Sequence, residues 1–427
     1  MNGKMNITDM VRALQGMRNT GGFSTLLGIG PMSPMVLEGA LELGKEQDFP
    51  ILFIASRNQV DMRLYGGGYV SSWDQEQFCA AIRSMTEKVG FDGLYYICRD
   101  HGGPWQRDEE RAAALPEKEA MTRSIASYLA DLDAGFDLLH IDPTKDPHME
   151  NAIDMDVVLE RTVRLIAAVE AYREEKGMAP VGYEVGTEET NGGLTGLEAF
   201  ETFIGRLMEM LGARGLPKPQ FIVGQTGTLV RLTENAGRFS IGSAQNLSAA
   251  AARFGMELKE HNSDYLSDEA LLLHPALGVG SSNVAPEFGV AETRAYLSLA
   301  RLERELYDEG IVRRHGNLPQ ALSRAAVETG RWRKWMVDEK ARYSVERVWE
   351  DAALTLRIAE IGGHYTFEMP AVAAEIQALF GNLERAGVPA RRYVLDEIKR
   401  CIGRYVNHYR LRGLTGRLRE QVEGRPL

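Results

Sequence analysis

The sequence is poor in cysteine and has no long apolar run. Its 427 residues include three cysteines, Cys79, Cys98 and Cys401, which are widely separated. Such a set forms neither a disulfide framework nor a zinc-finger spacing, and it is typical of a reducing compartment. No apolar run reaches the roughly 20 residues of a membrane span, and the N-terminal segment lacks the apolar core of a signal peptide. We therefore expect a cytoplasmic protein with no membrane partner.

Positive charge is also scarce. Lysine and arginine total 49 against 60 aspartates and glutamates, so the formal net charge is −11. Because nucleic-acid binding favours basic surfaces, we expect no nucleic-acid partner. Neither a G-x-G-x-x-G motif nor a P-loop follows the first predicted strand, so these two phosphate-binding loops are absent. We expect the ligand to be a small molecule instead.

Short apolar runs alternate with longer helical patterns up to about residue 285. The eight runs are residues 25–30, 50–56, 93–99, 138–142, 181–186, 220–225, 256–261 and 276–282. Runs of this length suit strands that are buried on both faces of a parallel sheet. Within the helical pattern that follows the second run, Ser72 and Gln75 fit a capping box, and Gly90 fits a helix end. Eight such units predict an α/β fold, a (β/α)8 TIM barrel, with an open doubly wound sheet as the alternative.

After residue 285 the alternation stops and the pattern becomes helical to the end. We predict a TIM barrel domain over residues 1–288, with an N-terminal helix at about 7–18, and a C-terminal helical extension over 289–427. The extension would pack on the barrel or on a partner. It also suggests self-association, so we expect a homo-oligomer.

Polar residues follow most of the predicted strands. In a TIM barrel the chemistry takes place at the C-terminal ends of the strands. The candidates there are Asn58, Gln59, Asp100, His101, Asp142, Glu184, Glu188, Gln225, His261, Asp264, Ser281 and Ser282. Two imidazoles and several carboxylates that converge from different strands suit a divalent metal with mixed N/O ligands, Zn²⁺ or Mn²⁺. A metal beside a carboxylate can deprotonate carbon or hydroxyl next to a carbonyl.

Histidines in these positions need separate interpretations. We interpret His101 and His261, each close to an acid, as functional. Asp142 is a further candidate ligand, although its D-P-T sequence is also a common turn. His140 lies within a predicted strand, and we interpret it as a core histidine.

Four segments, in order, resemble a known family. The segments "SRNQVDMRLYGGGY", "RDHGGPW", "YEVGTE" and "EHNSDY" are similar to stretches of the non-catalytic (Z) subunit of class II D-tagatose-bisphosphate aldolase. Relatives of that family include ketose C4-epimerases. The resemblance implies a TIM barrel related to the zinc-dependent class II aldolases and a role in galactitol, N-acetylgalactosamine or tagatose catabolism. It also implies that Asp100 is a catalytic acid/base and His101 a metal ligand, and that His261 and Glu184 are associated with the metal.

The chain departs from the family pattern in places that affect the site. Arg99 lies beside the Asp-His pair, and strand six offers Gln225 where a third histidine would complete the class II zinc site. The segment "GSSNVAPEFG" after strand eight is also unusual, and it falls where barrels often bind phosphate. There, Ser281 and Ser282 precede a predicted helix N-terminus, which favours anions. The predicted substrate-binding residues are Asn58, Gln59, Arg99, Gln225, Asp264, Ser281 and Ser282.

Three functions remain open. The first is a divalent-metal-dependent ketose or ketose-phosphate C4 epimerase or aldolase-type enzyme, acting through C3–C4 retro-aldol or enediolate chemistry. Its acid/base residues would be Asp100 and either Glu184 or Glu188. The second is a non-catalytic subunit that supports a separate class II aldolase catalytic subunit, and the third is a sugar-binding regulatory protein. The acids and imidazoles retained at the strand ends favour the first.

Overall fold

Eight parallel strands close into a barrel in the computed structural model, which describes residues 5–149, 154–186, 193–336 and 338–424. The barrel strands are β1 (Leu26–Ile29), β2 (Ile51–Ser56), β3 (Tyr95–Gly102), β4 (Leu138–Ile141), β5 (Gly182–Gly186), β6 (Phe221–Val223), β9 (Glu257–Glu260) and β10 (Val279–Val284). A small antiparallel pair, β7 (Val230–Arg231) and β8 (Glu234–Asn235), lies in the loop after β6. Each barrel strand overlaps one of the predicted apolar runs.

The ring closes between the first and last strands. Residues 26–29 of β1 pair in parallel with residues 281–284 of β10, and the ring order is β1-β10-β9-β6-β5-β4-β3-β2. This pairing confirms the predicted TIM barrel and excludes the open doubly wound sheet. Every residue of β1 and β4 is buried, as expected for strands covered by helices outside and by side chains inside.

Helices surround the barrel. They are α1 (Ile7–Asn19), α2 (Pro34–Gln47), α3 (Gln75–Val89), α4 (Asp108–Ala112), α5 (Glu117–Ala134), α6 (Met155–Glu175), α7 (Leu197–Ala213), α8 (Ile241–Arg253), α9 (Asp268–Leu277) and α10 (Pro286–Asp308). Helix α1 lies where the sequence predicts an N-terminal helix. No helix in the described part of the chain is both long and apolar enough to cross a membrane.

Helix α3 begins two residues later than the predicted capping box allows. Its N-cap is Asp74, whose side chain accepts from the backbone N–H of Gln77, while the Gln77 side chain caps in return. Ser72 has φ +53°, whereas an N-cap residue needs an extended backbone, so the predicted Ser72–Gln75 box was wrong. Gly90 ends the helix in the left-handed conformation, as predicted.

The rest of the chain is helical. It contains α11 (Leu318–Thr329), α12 (Val345–Trp349), α13 (Ala352–Gly362), α14 (Pro370–Arg385), α15 (Ala390–His408) and α16 (Leu414–Val422). Helix α15 packs on α2 and α10, and α16 packs on α1. The packing of α15 on α2 is close, because a Cβ at Gly39 would lie 3.0 Å from Ile398. Helix α10 runs across residue 288, and a domain division at that position stays a prediction.

Candidate metal-binding active site

A bulge at the end of β3 presents the Asp100–His101 pair. The pairing of β3 with β4 shifts register between Arg99 and Gly102, and His101 has φ +44°, a backbone conformation that is uncommon for residues other than glycine. Gly103 follows with φ +129°, and a Cβ there would lie 2.3 Å from the Asp142 carbonyl oxygen. The bulge therefore requires a glycine beside it, and it lets two consecutive residues face the barrel interior.

Three imidazoles from three strands meet inside the barrel. His101, His140 and His261 each offer a ring nitrogen, and these nitrogens all lie within 4.8 Å of one another. His101 Nε2 and His261 Nδ1 are 2.9 Å apart. A divalent metal bound by three histidines is a common catalytic arrangement, so the donor set fits Zn²⁺ or Mn²⁺.

His140 is the member of this cluster that the sequence interpretation missed. Its ring is buried, Nδ1 accepts from the His101 backbone N–H at 3.1 Å, and Nε2 has no hydrogen-bond partner. Burial lowers the pKa of His140 to about 4, so the ring is neutral near pH 7. With Nδ1 as acceptor, the neutral ring carries its proton on Nε2, and a buried N–H without a partner is costly. A substrate oxygen would accept from it, whereas metal binding by Nε2 requires the other tautomer, in which the contact to the His101 N–H is given up. Because β4 ends one residue later, His140 also stands close to the barrel mouth, the rim formed by the C-terminal ends of the strands.

Carboxylates hold these imidazoles. Asp142 Oδ2 lies 2.6 Å from His101 Nδ1, and Glu184 Oε1 lies 2.8 Å from His261 Nε2. Burial opposes the charge of both acids, but hydrogen bonds and the charges of their partners lower the pKa of each well below its ordinary range. Carboxylates in such contacts orient metal-binding histidines. The geometry thus favours Asp142 and Glu184 as orienting partners, and their predicted roles as ligands or catalysts stay predictions.

Asp100 completes the inner face of the site. Its Oδ1 lies 3.5 Å from His261 Nδ1 and accepts a hydrogen bond from Asn283 Nδ2 at 3.0 Å. Burial would raise the pKa of Asp100, but the adjacent imidazoles, His101 first, lower it, so the carboxylate is ionised near neutral pH. The sequence interpretation also missed Asn283. Its side chain occupies the space that a side chain on the neighbouring strand β1 would fill, so β1 has a glycine there. A Cβ at Gly28 would lie 2.1 Å from the Asn283 Oδ1.

Lys259 is a third residue that the sequence interpretation missed. Its side chain is fully buried inside the barrel, with Nζ 2.6 Å from Glu184 Oε2. A lysine within a strand that is buried throughout was the available signal, because buried lysines are nearly always paired. Lys259 therefore neutralises Glu184, which in turn binds His261.

Three predicted substrate-binding residues lie in loops at the mouth. Asn58 Nδ2 donates to the Gln106 carbonyl oxygen at 3.1 Å, and Gln59 Oε1 accepts from the Ser56 backbone N–H at 2.7 Å. Gln225 follows β6, and its backbone N–H donates to Thr195 Oγ1 at 2.7 Å. Their substrate contacts stay predictions. Glu188 lies outside the described residues.

Three other predicted residues, Arg99, Asp264 and Ser282, have side chains engaged away from the cluster, whereas the Ser281 hydroxyl has no hydrogen-bond partner among the described residues. Arg99 points out of the barrel, where its buried guanidinium binds Asp131 and two carbonyl groups. Asp264 Oδ1 accepts two backbone N–H groups at the start of α10, and Ser282 Oγ accepts from the Tyr409 hydroxyl. Ser281 is fully buried two residues before Asn283. No described side-chain contact of Arg99, Asp264 or Ser282 reaches the cluster, and the substrate roles of all four residues stay predictions.

Known structures share this fold. A structure described as a probable tagatose 6 phosphate kinase from Sinorhizobium meliloti 1021 matches with a TM-score of 0.71 at 22% identity, covering 90% of this chain and all of its own. A glycerol complex of fructuronate-tagaturonate epimerase from Cohnella laeviribosi matches with a TM-score of 0.52 at 14% identity, covering 91% of this chain and 81% of its own. At these identities the two matches establish the fold.

The sequence matches establish the family. A D-tagatose-1,6-bisphosphate aldolase subunit GatZ from Klebsiella oxytoca is 25% identical over 382 residues, which are 83% of this chain and 84% of that protein. The sequence profile described as D-tagatose-1,6-bisphosphate aldolase subunit GatZ/KbaZ-like matches residues 11–401. The resemblance carried by the four sequence segments is therefore confirmed. The chain belongs to the GatZ/KbaZ-like family of D-tagatose-1,6-bisphosphate aldolase subunits, a family of carbohydrate metabolism.

Proposed function

We propose that this chain is itself an enzyme, a divalent-metal-dependent ketose C4 epimerase or aldolase-type lyase. The observation that supports this proposal is the cluster of His101, His140 and His261 beside ionised Asp100. Burying so many titratable groups opposes folding unless they pair closely. Groups with shifted pKa values that converge in one place are characteristic of active sites.

The chain's own residues suit proton transfer at a ketose. The three imidazoles would hold the cation, which when bound supplies Lewis-acid polarisation of the ketose carbonyl. Asp100 would accept the proton of the substrate O4 hydroxyl as the C3–C4 bond breaks to an aldehyde and an enediolate. After the aldehyde turns over, the C3–C4 bond forms again on its other face and Asp100 returns the proton to O4. Release of the aldehyde, followed by protonation of the enediolate at C3, instead gives the aldolase reaction.

Asn283 would keep Asp100 in position for this transfer. Its amide donates to Asp100 Oδ1, so the carboxylate cannot rotate freely between the two steps. A carboxylate with one fixed oxygen suits a base that takes the O4 proton and returns it.

The second candidate is a non-catalytic subunit of a class II aldolase. Membership of a family named for aldolase subunits favours it. Under this proposal the cluster would be a remnant, and activity would require a separate catalytic chain. The presence of a complete histidine triad makes it the second choice.

Metal content and turnover of the purified chain distinguish the two. We expect about one divalent ion per chain and C4 epimerisation or cleavage of tagatose, fructose or their 6-phosphates, followed by NMR. His101→Ala should lose metal and turnover, whereas Asp100→Asn should keep metal but lose roughly 10²- to 10⁴-fold in rate. His408→Ala, on α15, is the matched control. A metal-free, inactive chain that strongly raises the activity of an added class II aldolase would contradict the enzyme proposal.

A further inference from the structure

Part of the C-terminal extension lies across the barrel mouth. The Arg331 guanidinium lies 4.6 Å from the ring centre of Tyr69, in the loop after β2. The Trp335 carbonyl oxygen accepts from the Leu232 backbone N–H, in the loop after β6, at 3.1 Å. Three other barrel strands separate β2 from β6 along either arc of the ring. A segment of five residues, 331–335, thus bridges opposite sides of the mouth.

This segment also reaches the loops that hold the histidine cluster. Lys334 Nζ lies 4.0 Å from Oδ2 of Asp108, the first residue of α4, which follows β3. From there a path of contacts leads inward, in the order Asp108 to Asn58 (3.0 Å), Asn58 to Gln106 (3.1 Å), Gln106 to Asp142 (2.9 Å) and Asp142 to His101 (2.6 Å). Lys334 therefore stands at the outer end of the same site.

Positive charge exceeds negative charge at this place. Arg331 and Lys334 come from the extension, and Lys145 comes from the loop after β4, three residues beyond Asp142. Among the described residues, Asp108 is the one carboxylate within 4.0 Å of any of these three cations, and it also pairs with Arg111. The Lys334 side chain is 42% exposed, and partial loss of hydration, together with the charges of Arg331, Arg111 and Lys145, lowers its pKa. Arg331 and Lys334 lie 5.7 and 5.9 Å from the centre of the same ring, that of Tyr365, so their charges are close together. An anion between them would relieve their repulsion.

His364 adds an uncharged polar group, and its ring centre lies 4.1 Å from that of Tyr365, the ring that Arg331 and Lys334 both approach. His364 is 4% exposed, and neither ring nitrogen has a hydrogen-bond partner. Burial and the charge of Lys334 lower its pKa to about 3, so it offers one donor and one acceptor. The ring packs against the first turn of α10, where a Cβ at Gly289 would lie 2.7 Å from His364 Cγ. A ligand with hydroxyl groups would satisfy both nitrogens.

We propose that Arg331, Lys334, Lys145 and His364, called here the mouth subsite, bind the anionic end of the substrate. The substrate is then a ketose with a terminal phosphate or carboxylate, and this identification rests on the proposed ketose chemistry. Guanidinium and ammonium groups pair with either a phosphate or a carboxylate. The imidazole accepts a hydrogen bond from a neighbouring substrate hydroxyl. The helical extension thereby contributes to substrate selection from outside the barrel.

Binding of matched ligands tests the mouth subsite. We expect inorganic phosphate to raise the melting temperature of the purified chain. We also expect D-tagatose 6-phosphate or D-tagaturonate to bind at least about 10-fold more tightly than D-tagatose in calorimetry. The double variant Arg331→Gln/Lys334→Gln should lose both effects and bind D-tagatose unchanged. Arg324→Gln, an exposed arginine of α11 paired with Glu328, is the matched control. The two anionic ketoses distinguish phosphate from carboxylate.

Equal binding of neutral and anionic ketoses, or a double variant that keeps the phosphate effect, would overturn the mouth subsite. Turnover of neutral D-tagatose alone would then still uphold the enzyme proposal. Conversely, a phosphate effect lost in the double variant, with no ketose turned over, would uphold the anion subsite and remove the enzyme proposal. If circular dichroism shows that the double variant is misfolded, Lys145→Gln, in a loop, provides the same comparison.

Discussion

At the scale of single residues, the orientation of each imidazole depends on a charged neighbour. His101 faces Asp142, and His261 faces Glu184, whose second oxygen binds Lys259. Each contact fixes which ring nitrogen points to the centre of the cluster. Replacing one residue of these contacts at a time should change metal affinity or stability in a measurable way.

Replacing His140 tests whether the triad binds metal. We expect His140→Ala to weaken Zn²⁺ or Mn²⁺ binding by more than about 100-fold, because it removes one of three ring-nitrogen donors. Competition with a chromogenic chelator measures the affinity, and His408→Ala serves as control. Unchanged affinity would restore the interpretation of His140 as a core histidine.

Replacing Lys259 tests the buried ion pair. Lys259→Met should lower the free energy of unfolding by about 3–5 kcal/mol, because it leaves Glu184 buried without its counter-charge. The double variant Lys259→Met/Glu184→Gln should recover most of that loss, since both charges are then absent. Urea denaturation of the single and double variants measures both values. Equal destabilisation in the two variants would show that packing, not charge, dominates at this position.

At the scale of elements, a buried acid joins α10 to the start of α2. Glu292 on α10 is 1% exposed and accepts hydrogen bonds from Ser33, the N-cap of α2, and from the Tyr296 hydroxyl. Burial raises the pKa of Glu292 to about 7. A raised carboxyl pKa means that its contribution to stability is complete near pH 4 and is lost as the pH rises towards 7 and above.

Glu292→Gln should remove this pH dependence. The amide keeps hydrogen bonds to both partners but cannot ionise, so we expect the variant to gain stability relative to the wild type between pH 5 and pH 8. The gain is at most roughly 3 kcal/mol. Urea unfolding at several pH values measures it, with the exposed Glu305→Gln on the same helix as control. Parallel pH profiles for wild type and variant would contradict the raised pKa.

At the scale of the whole molecule, part of the extension shares one apolar core with the barrel, whereas residues of α11 to α13 and of the 331–336 segment form a second apolar cluster. Helix α15 of the extension contributes buried Ile398, Ile402 and Tyr405 to the same apolar cluster as the barrel helices. The Tyr409 carbonyl oxygen accepts from the Thr25 backbone N–H, next to β1, at 3.1 Å. Self-association and a class II aldolase partner stay predictions at this scale.

Truncation tests whether the barrel needs α15 and α16 in order to fold. A chain that ends at residue 389 would uncover the apolar faces of α2 and α10, and each large side chain exposed costs about 1.5–3 kcal/mol. We expect this chain to show no cooperative thermal unfolding in circular dichroism, whereas a chain that ends at residue 424 should unfold like the full protein. Cooperative unfolding of the shorter chain would show that the barrel folds without α15 and α16.

The sequence alone was enough to predict the barrel and three residues of the site. Eight short apolar runs, separated by helical patterns, permit few other arrangements, because strands buried on both faces must form a parallel sheet covered by helices. Asp100, His101 and His261 could also be predicted, since acid and imidazole stand together where an apolar run ends. The family segments supported the same residues.

Only the tertiary structure decided the rest of the site. Whether a strand residue faces the barrel interior depends on register and bulges, so Arg99 points outward while His140, Lys259 and Asn283 point inward. Local sequence does not contain that information, because side chains alternate between faces and a shift of one residue reverses them. The position of residues 331–335 over the mouth also depends on contacts between residues far apart in the sequence. It depends on how α10 to α16 pack against the barrel, which no local pattern specifies.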